Sequence, residues 1–566
     1  MMQKGLRFLT LFALLLPSFS FSFDAQALST ERYWQQLLHF RDGKSEIDSA
    51  DFFLSPKGKT DAKAELEATI EAIYHDRDMY CKFPARIKWL YEKIPTLENY
   101  QKCEPLENLI ENYQASKAVL VFPTAHINSP ASMFGHTFLR LDDKKGLALT
   151  ANAVNYAAKT QETNGLIFAY QGLFGGYEGR YSVLPYYKKI KEYNNLERRD
   201  IWEYTLNLDE EELVRLLTHL YELKDMYADY FFFSENCSYN LLWLLEVARA
   251  DTHLVERFGI KAIPIDTIRA VKEAGFIEDR HFRPSKTKRI KAIMIEEKKA
   301  KGALKKAYKA ELGVELLQLK RSKNAIEKKP YVKELMRRLK ERSKLPKLPK
   351  LQVKIPPNPL LAHKSAKATV GFNSDKEMQV GVKLAFHDIY DVEQGFISGA
   401  YIDFFNVQLL KKKSGAVKLK NLNLININSY ASRDEIFKPL SWGVQVGAEE
   451  FDAQTHFKLT GEVGVTYAYH DRFFGFIMIA PSLYYHDSVI VGIGPKLGVI
   501  ANFESFKLGM TGEKSFYSDG QSDFHAEAFS TIMIEENIAL NLKIDSDKMG
   551  QTKREERYGA SLFYYF

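Results

Sequence analysis

The sequence predicts an α+β domain with a helical lead-in, followed by an antiparallel transmembrane β-barrel of about twelve strands. Three observations carry this reading. The N-terminus resembles an export signal, the middle of the chain mixes helical and strand periods, and the segment from Ala366 onward alternates in polarity and ends on Phe566. With 566 residues and a net charge of +7, the chain has room for about two or three domains and is only mildly basic for its length.

Residues 1–27 read as a signal peptide. Lys4 and Arg7 precede the apolar stretch Phe8 to Leu16, and Ala25-Gln26-Ala27 offers a small-x-small cleavage site. No later run reaches the ~18 apolar residues of a spanning helix. Residues 28–115 form a helical lead-in, with Tyr33, Leu37 and Leu38, then Leu66, Ile70 and Ile73, at helical spacing. In 116–279 short strands come first, at Ala118 to Phe122, His136 to Leu141 and Ala148 to Tyr156. Two helices follow, one marked by Leu213, Leu216, Leu217, Leu220 and Leu223 and the next beginning at Cys237.

Residues 280–355 are a basic helical linker, either a solvated helix face or a contact for anionic headgroups, where each Lys or Arg adds ~1 kcal/mol. Export argues against a nucleic-acid partner. In 356–566, segments such as Met378 to Phe386 and Leu459 to Tyr467 alternate over about ten residues between short polar turns, the pattern of strands with one face toward lipid. A soluble sandwich shares this period, but the aromatic enrichment and terminal Phe566 favour an outer-membrane barrel.

Three cysteines outside the cytoplasm cannot all pair within one chain. A Cys81 to Cys103 bridge would close a modest loop and contribute ~3 kcal/mol, leaving Cys237 as the odd thiol. The arithmetic alone also permits other pairings, including an intermolecular one. Ser234 or Asn236 can cap the helix that starts at Cys237, and the first-turn N–H groups and the dipole would favour a thiolate there.

A cysteine nucleophile needs an imidazole base and a third polar group to orient it. His136, opening a strand after Gly135, is the preferred base. Asn152 is the preferred orienting residue, with Asn155 on the same strand the alternative. His126 and Ser132 are possible accessories, Cys237 N–H and its neighbours are the expected oxyanion donors, and Arg180 is a candidate headgroup contact in the glycine-rich segment 171–181, which reads as a mobile loop. The chain has neither a His-Glu-x-x-His nor a Cys-x-x-Cys pattern, so no metal or other cofactor is expected.

The order of histidine, polar residue and cysteine is similar to the circularly permuted papain-like group. More closely, Phe52 to Ser55, Cys81 to Arg86, Pro130 to Arg140 and Glu235 to Leu242 resemble the bacterial Lnb-type periplasmic domain family. That resemblance implies a lipoprotein N-acyltransferase-like activity on membrane lipids and a lipoprotein substrate at the outer membrane, with a barrel as the anchor. A cell-wall cysteine peptidase or amidase using the same residues is the alternative enzyme. A barrel with a non-catalytic periplasmic binding module is the third reading.

Overall fold

The computed structural model describes residues 24–566 except 77, 98–101, 127–132, 163, 323–326, 452–453, 471 and 551–553. The charged start and apolar core of the export signal, and Ser132, lie outside the described residues. The chain divides into two compact units, at residues 1–107 and 108–566.

In the first unit, helices Ala62–His75 and Pro84–Lys93 bury their apolar faces. Asp61 caps the former by accepting from Lys63 and Ala64 N–H, and Pro84 opens the latter, where a missing N–H has no cost. Arg86 is fully buried against Glu65 at 2.9 Å and stacks between Phe52 and Phe83. The disulfide joins Cys81 to Cys103.

The second unit begins with a seven-stranded antiparallel sheet. Its strands are β1 (Ala115–Pro123), β2 (Phe138–Asp143), β3 (Asn152–Ala158), β4 (Tyr177–Pro185), β5 (Ile201–Leu206), β6 (Ala228–Tyr230) and β7 (Ile277–Arg283), in the order β6-β4-β3-β2-β1-β5-β7. Helix α1 (Gly165–Leu173) precedes β4, and α2 (Glu210–Glu222) starts with a capping box in which Asp209 and Glu212 exchange bonds. Helix α3 (Cys237–Ala248) is buried throughout and packs on β2 and β3. The glycine-rich segment is therefore not a loop. It runs from the end of α1 through a turn into β4.

The basic segment folds into helices Lys286–Lys299, Gly302–Ser322 and Lys328–Ser343. The first two are partly buried, with Ile290 and Leu319 packing on Phe437.

Twelve antiparallel strands then close into a barrel. They are β8 (Lys367–Asn373), β9 (Met378–His387), β10 (Ala400–Lys411), β11 (Val417–Ser429), β12 (Ser441–Phe451), β13 (Gln454–Tyr469), β14 (Phe473–Tyr485), β15 (Val489–Asn502), β16 (Phe506–Tyr517), β17 (Ser522–Glu535), β18 (Ile538–Met549) and β19 (Glu555–Tyr565). Closure is explicit, because β8 pairs with β19 and β13 with β14, so no edge is left unpaired.

The two ends of the barrel differ. At the end from which the chain enters, the connections 388–399 and 430–440 are long, whereas 374–377, 412–416, 486–488 and 518–521 at the other end are tight. Connection 388–399 lies across the lumen mouth. Its Asp388 and Asp391 receive Lys367 and Lys383, its Glu393 receives Lys507 at 3.0 Å, and Tyr390 bonds Glu527, so strands from around the ring grip it.

Candidate active site

Asn236 builds the helix start that presents Cys237. Its side-chain oxygen accepts from Ser238 and Tyr239 N–H at 3.0 and 3.3 Å, and its amide donates to Phe232 and Ala262 carbonyls at 3.1 and 2.7 Å. Asn236 is thus a fully engaged cap, and those two first-turn N–H groups are taken up by it. The Cys237 N–H is occupied as well, donating to the Tyr230 hydroxyl at 3.2 Å. The expected oxyanion donors are therefore already committed, Tyr230 being the acceptor for the Cys237 N–H.

Burial opposes the thiolate that the helix start favours. Cys237 is only 2% exposed, and burial foremost pushes its thiol up. The Thr137 backbone, the Tyr230 hydroxyl and the charge of Arg199 pull the other way without cancelling burial.

His136 arrives from the opposite side of the site. Gly135 has φ +105°, and a Cβ there would lie 2.5 Å from the Phe122 ring, so only glycine makes this tight approach to β1. His136 N–H then donates to the Pro123 carbonyl at 3.2 Å, and the next residue, Thr137, turns its backbone toward the Cys237 thiol.

The His136 Nε2 lies 2.8 Å from Asn155 Oδ1. With the imidazole donating, Nδ1 is left as the basic nitrogen. Burial foremost, helped by Lys189 and Arg199, pushes His136 down to about 3 although the Asn155 bond opposes this. Burial thus disfavours the imidazolium and the thiolate alike.

The structure brings Asn155, rather than the preferred Asn152, into hydrogen-bond contact with the imidazole. Asn152 sits at the start of β3 opposite Leu141 and Pro185. The two asparagines are three positions apart, so they point to opposite faces of the strand, and Asn155 is the one that faces the imidazole. Tyr193 flanks the site, its ring 5.4 Å from His136 and its phenol within electrostatic reach of Cys237. It is carried by a π-helical turn at Ile190–Leu196. Arg199 stacks on Tyr193 and donates to the Pro123 and Thr124 carbonyls at 2.7 and 2.6 Å, bracing the strand end to which His136 is tied.

Of the accessory candidates, Ser132 lies outside the described residues. His126 lies beside Glu197, Arg198 and Arg199, and burial holds its imidazole below the usual value. Arg180 is held by Glu178 at 2.9 Å and the Asp225 carbonyl at 2.7 Å, and it stacks on Tyr227, commitments that fit a strand brace better than a headgroup contact. Sequence reasoning missed Tyr230, Thr137, Tyr193 and Arg199. Tyr230 had one signal, the polar tip that opens the aromatic run before Cys237.

Residues 106–274 match the family described as the Lnb N-terminal periplasmic domain. Residues 26–93 and 356–565 match two domains of unknown function, DUF7843 and DUF7840. No curated protein matches the sequence. Among solved structures, the NanC porin is 7% identical over 36% of this chain and 100% of its own, with a TM-score of 0.26. An outer membrane channel from Pseudomonas putida F1 is 8% identical over 39% of this chain and 100% of its own, also at 0.26. Likenesses this slight carry no argument, and the barrel stands on its own closed ladder. The chain thus joins an Lnb N-terminal periplasmic domain to an outer-membrane β-barrel, and it resides in the outer membrane with its N-terminal part in the periplasm.

Proposed function

We propose that this chain is an outer-membrane cysteine acyltransferase, moving an acyl chain from a lipid ester through a Cys237 thioester to an amine, the N-terminal α-amine of a lipoprotein. The observation that carries the reading is a dry thiol at a helix start, beside a strand whose neutral imidazole is oriented by Asn155.

His136 Nδ1 takes the thiol proton as sulfur attacks the ester carbonyl. The tetrahedral oxyanion accepts a hydrogen bond from Tyr230, and the alcohol leaves with the proton from His136. In the second half an amine attacks the thioester, its proton passes to His136, and the departing sulfur recovers it, leaving an amide and the free thiol. A neutral resting pair suits this sequence, since charge develops only as the bond forms. Burial of the thiol supports transfer over hydrolysis, because a thioester screened from water waits for the amine.

Cys237→Ala and His136→Ala, each introduced into the full chain in cells, are expected to leave lipoprotein N-termini without the added acyl group, read by mass spectrometry. Unchanged lipoproteins in both variants would overturn the proposal. Altered cell-wall peptides would assign the dyad to a peptidase or amidase instead.

A further inference from the structure

We infer that acyl chains reach Cys237 from the bilayer along the outer wall of the barrel, through an aromatic portal made by Phe404 and Phe405 of β10 with Phe134 and Phe233 of the periplasmic domain. The inference rests on the acyl-transfer reading for its purpose, but not for its geometry.

Along β9 and β10 the two faces separate cleanly. Lys383, Asp403 and Asn406 are buried toward the lumen, where the Asn406 amide donates to Asp403 at 2.9 Å. Val380, Val382, Val407 and Leu409 are exposed although apolar, which is the face a bilayer covers. At Phe405 the backbone takes φ +49°, a left-handed conformation rarely adopted by a bulky residue. The ladder with β9 is interrupted there, passing from Ala385↔Phe404 to Lys383↔Asn406 with its register unchanged. Asp403 and Asn406, three positions apart, bond each other on the lumen side, so the left-handed turn at Phe405 takes Phe404 and Phe405 out of strict alternation, and strained backbone of this kind is commonly kept where it serves a site.

Phe233 meets both rings, at 4.8 Å from Phe404 and 6.3 Å from Phe405. Phe134 lies 5.6 Å from Phe404, 5.5 Å from Phe386 and 5.5 Å from Phe233. Phe405 remains 46% exposed, so the membrane side of the portal is open. Behind Phe134 the apolar lining continues into a narrow cleft between Phe122, Ala125, Phe386, Ile397 and Ile402.

Phe134 lies two residues before His136, and Phe233 lies four before Cys237. The rings that meet the lipid-facing strand thus belong to the two segments that carry the base and the thiol. A hydrocarbon chain suits that wall. A peptide would leave its amides unpaired against it.

The test needs no turnover. The full chain is folded into vesicles of phosphatidylethanolamine and phosphatidylglycerol doped with a phospholipid bearing a photoactivatable diazirine at the end of one acyl chain. It is then irradiated, and labelled peptides are mapped by mass spectrometry. Label is expected on the peptides containing Phe134 and Phe233, as well as on the barrel, in both the wild type and Cys237→Ala. A charge on the membrane side of the portal, in Phe405→Glu, is expected to cut the Phe134 and Phe233 label about tenfold. Phe233→Ala, which adds no charge to the lipid face, is expected to lower the label at Phe134. Heat-modifiable mobility on gels reports that each barrel has folded. Label confined to barrel strands, or undiminished at Phe134 in both variants, overturns the portal. Label at Phe134 and Phe233 with lipoproteins unchanged in cells supports the portal while removing the acyltransferase reading.

Discussion

The active site and the barrel mouth both bury polar groups, and they do so in opposite ways. In the mouth, two lysines face two aspartates, with Lys367 at 2.6 Å from both Asp388 and Asp391 and Tyr565 donating to Asp391 at 2.9 Å. Each charge is answered, and the arrangement fixes where connection 388–399 lies. In the site, dehydration disfavours the charged forms of thiol and imidazole, with one directional bond of 2.8 Å to Asn155 setting the imidazole. Paired charge locks a shape, whereas uncharged groups kept from water retain a proton to move.

The contrast can be broken most forcefully at the mouth. Asp391→Asn leaves two buried ammonium groups facing one carboxylate, and breaking such a cluster costs about 3 kcal/mol or more. The barrel should unfold at visibly lower denaturant or temperature in a gel-mobility assay, while any molecules that remain folded keep an intact thiol site. Next in size is Tyr230→Phe, which retains the ring and removes the hydroxyl. Transfer should fall about 10²- to 10³-fold, as for loss of one oxyanion donor, with little change in thermal unfolding.

Asn155→Ala frees the imidazole to rotate and should slow transfer about tenfold to a hundredfold, whereas Asn152→Ala should leave the rate near wild type. Equal losses in the two variants would mean that Asn155 does not orient the base.

The smallest effect is on pH. Because His136 is held at about 3 against an ordinary 6.5, the unfolded chain binds this proton first as pH falls. Its contribution to stability is therefore complete above about 6.5 and is lost progressively toward about 3. The thiol is pushed above its ordinary 9.0. Thioester formation should accordingly stay flat from about pH 5 to about pH 8, and Cys237 should react with maleimide more slowly than a free thiol. An acid limb near 6.5 would show that the base is solvated in the working enzyme.

How much of this was legible in the sequence depends on whether a signal was local. The barrel was, because each strand alternates over its own length and is bounded by its own turn, so the strands could be counted without knowing their neighbours. Cys237 was, because Asn236 and the apolar run that follows announce a helix start. Asn155 was not, since choosing it over Asn152 requires the register of β3 against the imidazole. Arg199 was hidden beside Arg198 in a charged stretch, and nothing in its neighbourhood indicates that it reaches the Pro123 carbonyl. The expected thiolate failed for a related reason: a helix start can be read from sequence, but the depth at which it is buried depends on strands and helices far along the chain.

The tight turns 374–377, 412–416, 486–488 and 518–521 have a consequence for how the cell surface meets this protein. An antibody, bacteriocin or phage arriving from outside finds little more there than strand ends joined by a few residues. The long connections, the helices and the thiol all lie on the inner side, beyond the reach of such visitors. Pressure to vary should therefore fall lightly on the outward turns, and the barrel serves as a fixed mooring whose shape is set from within.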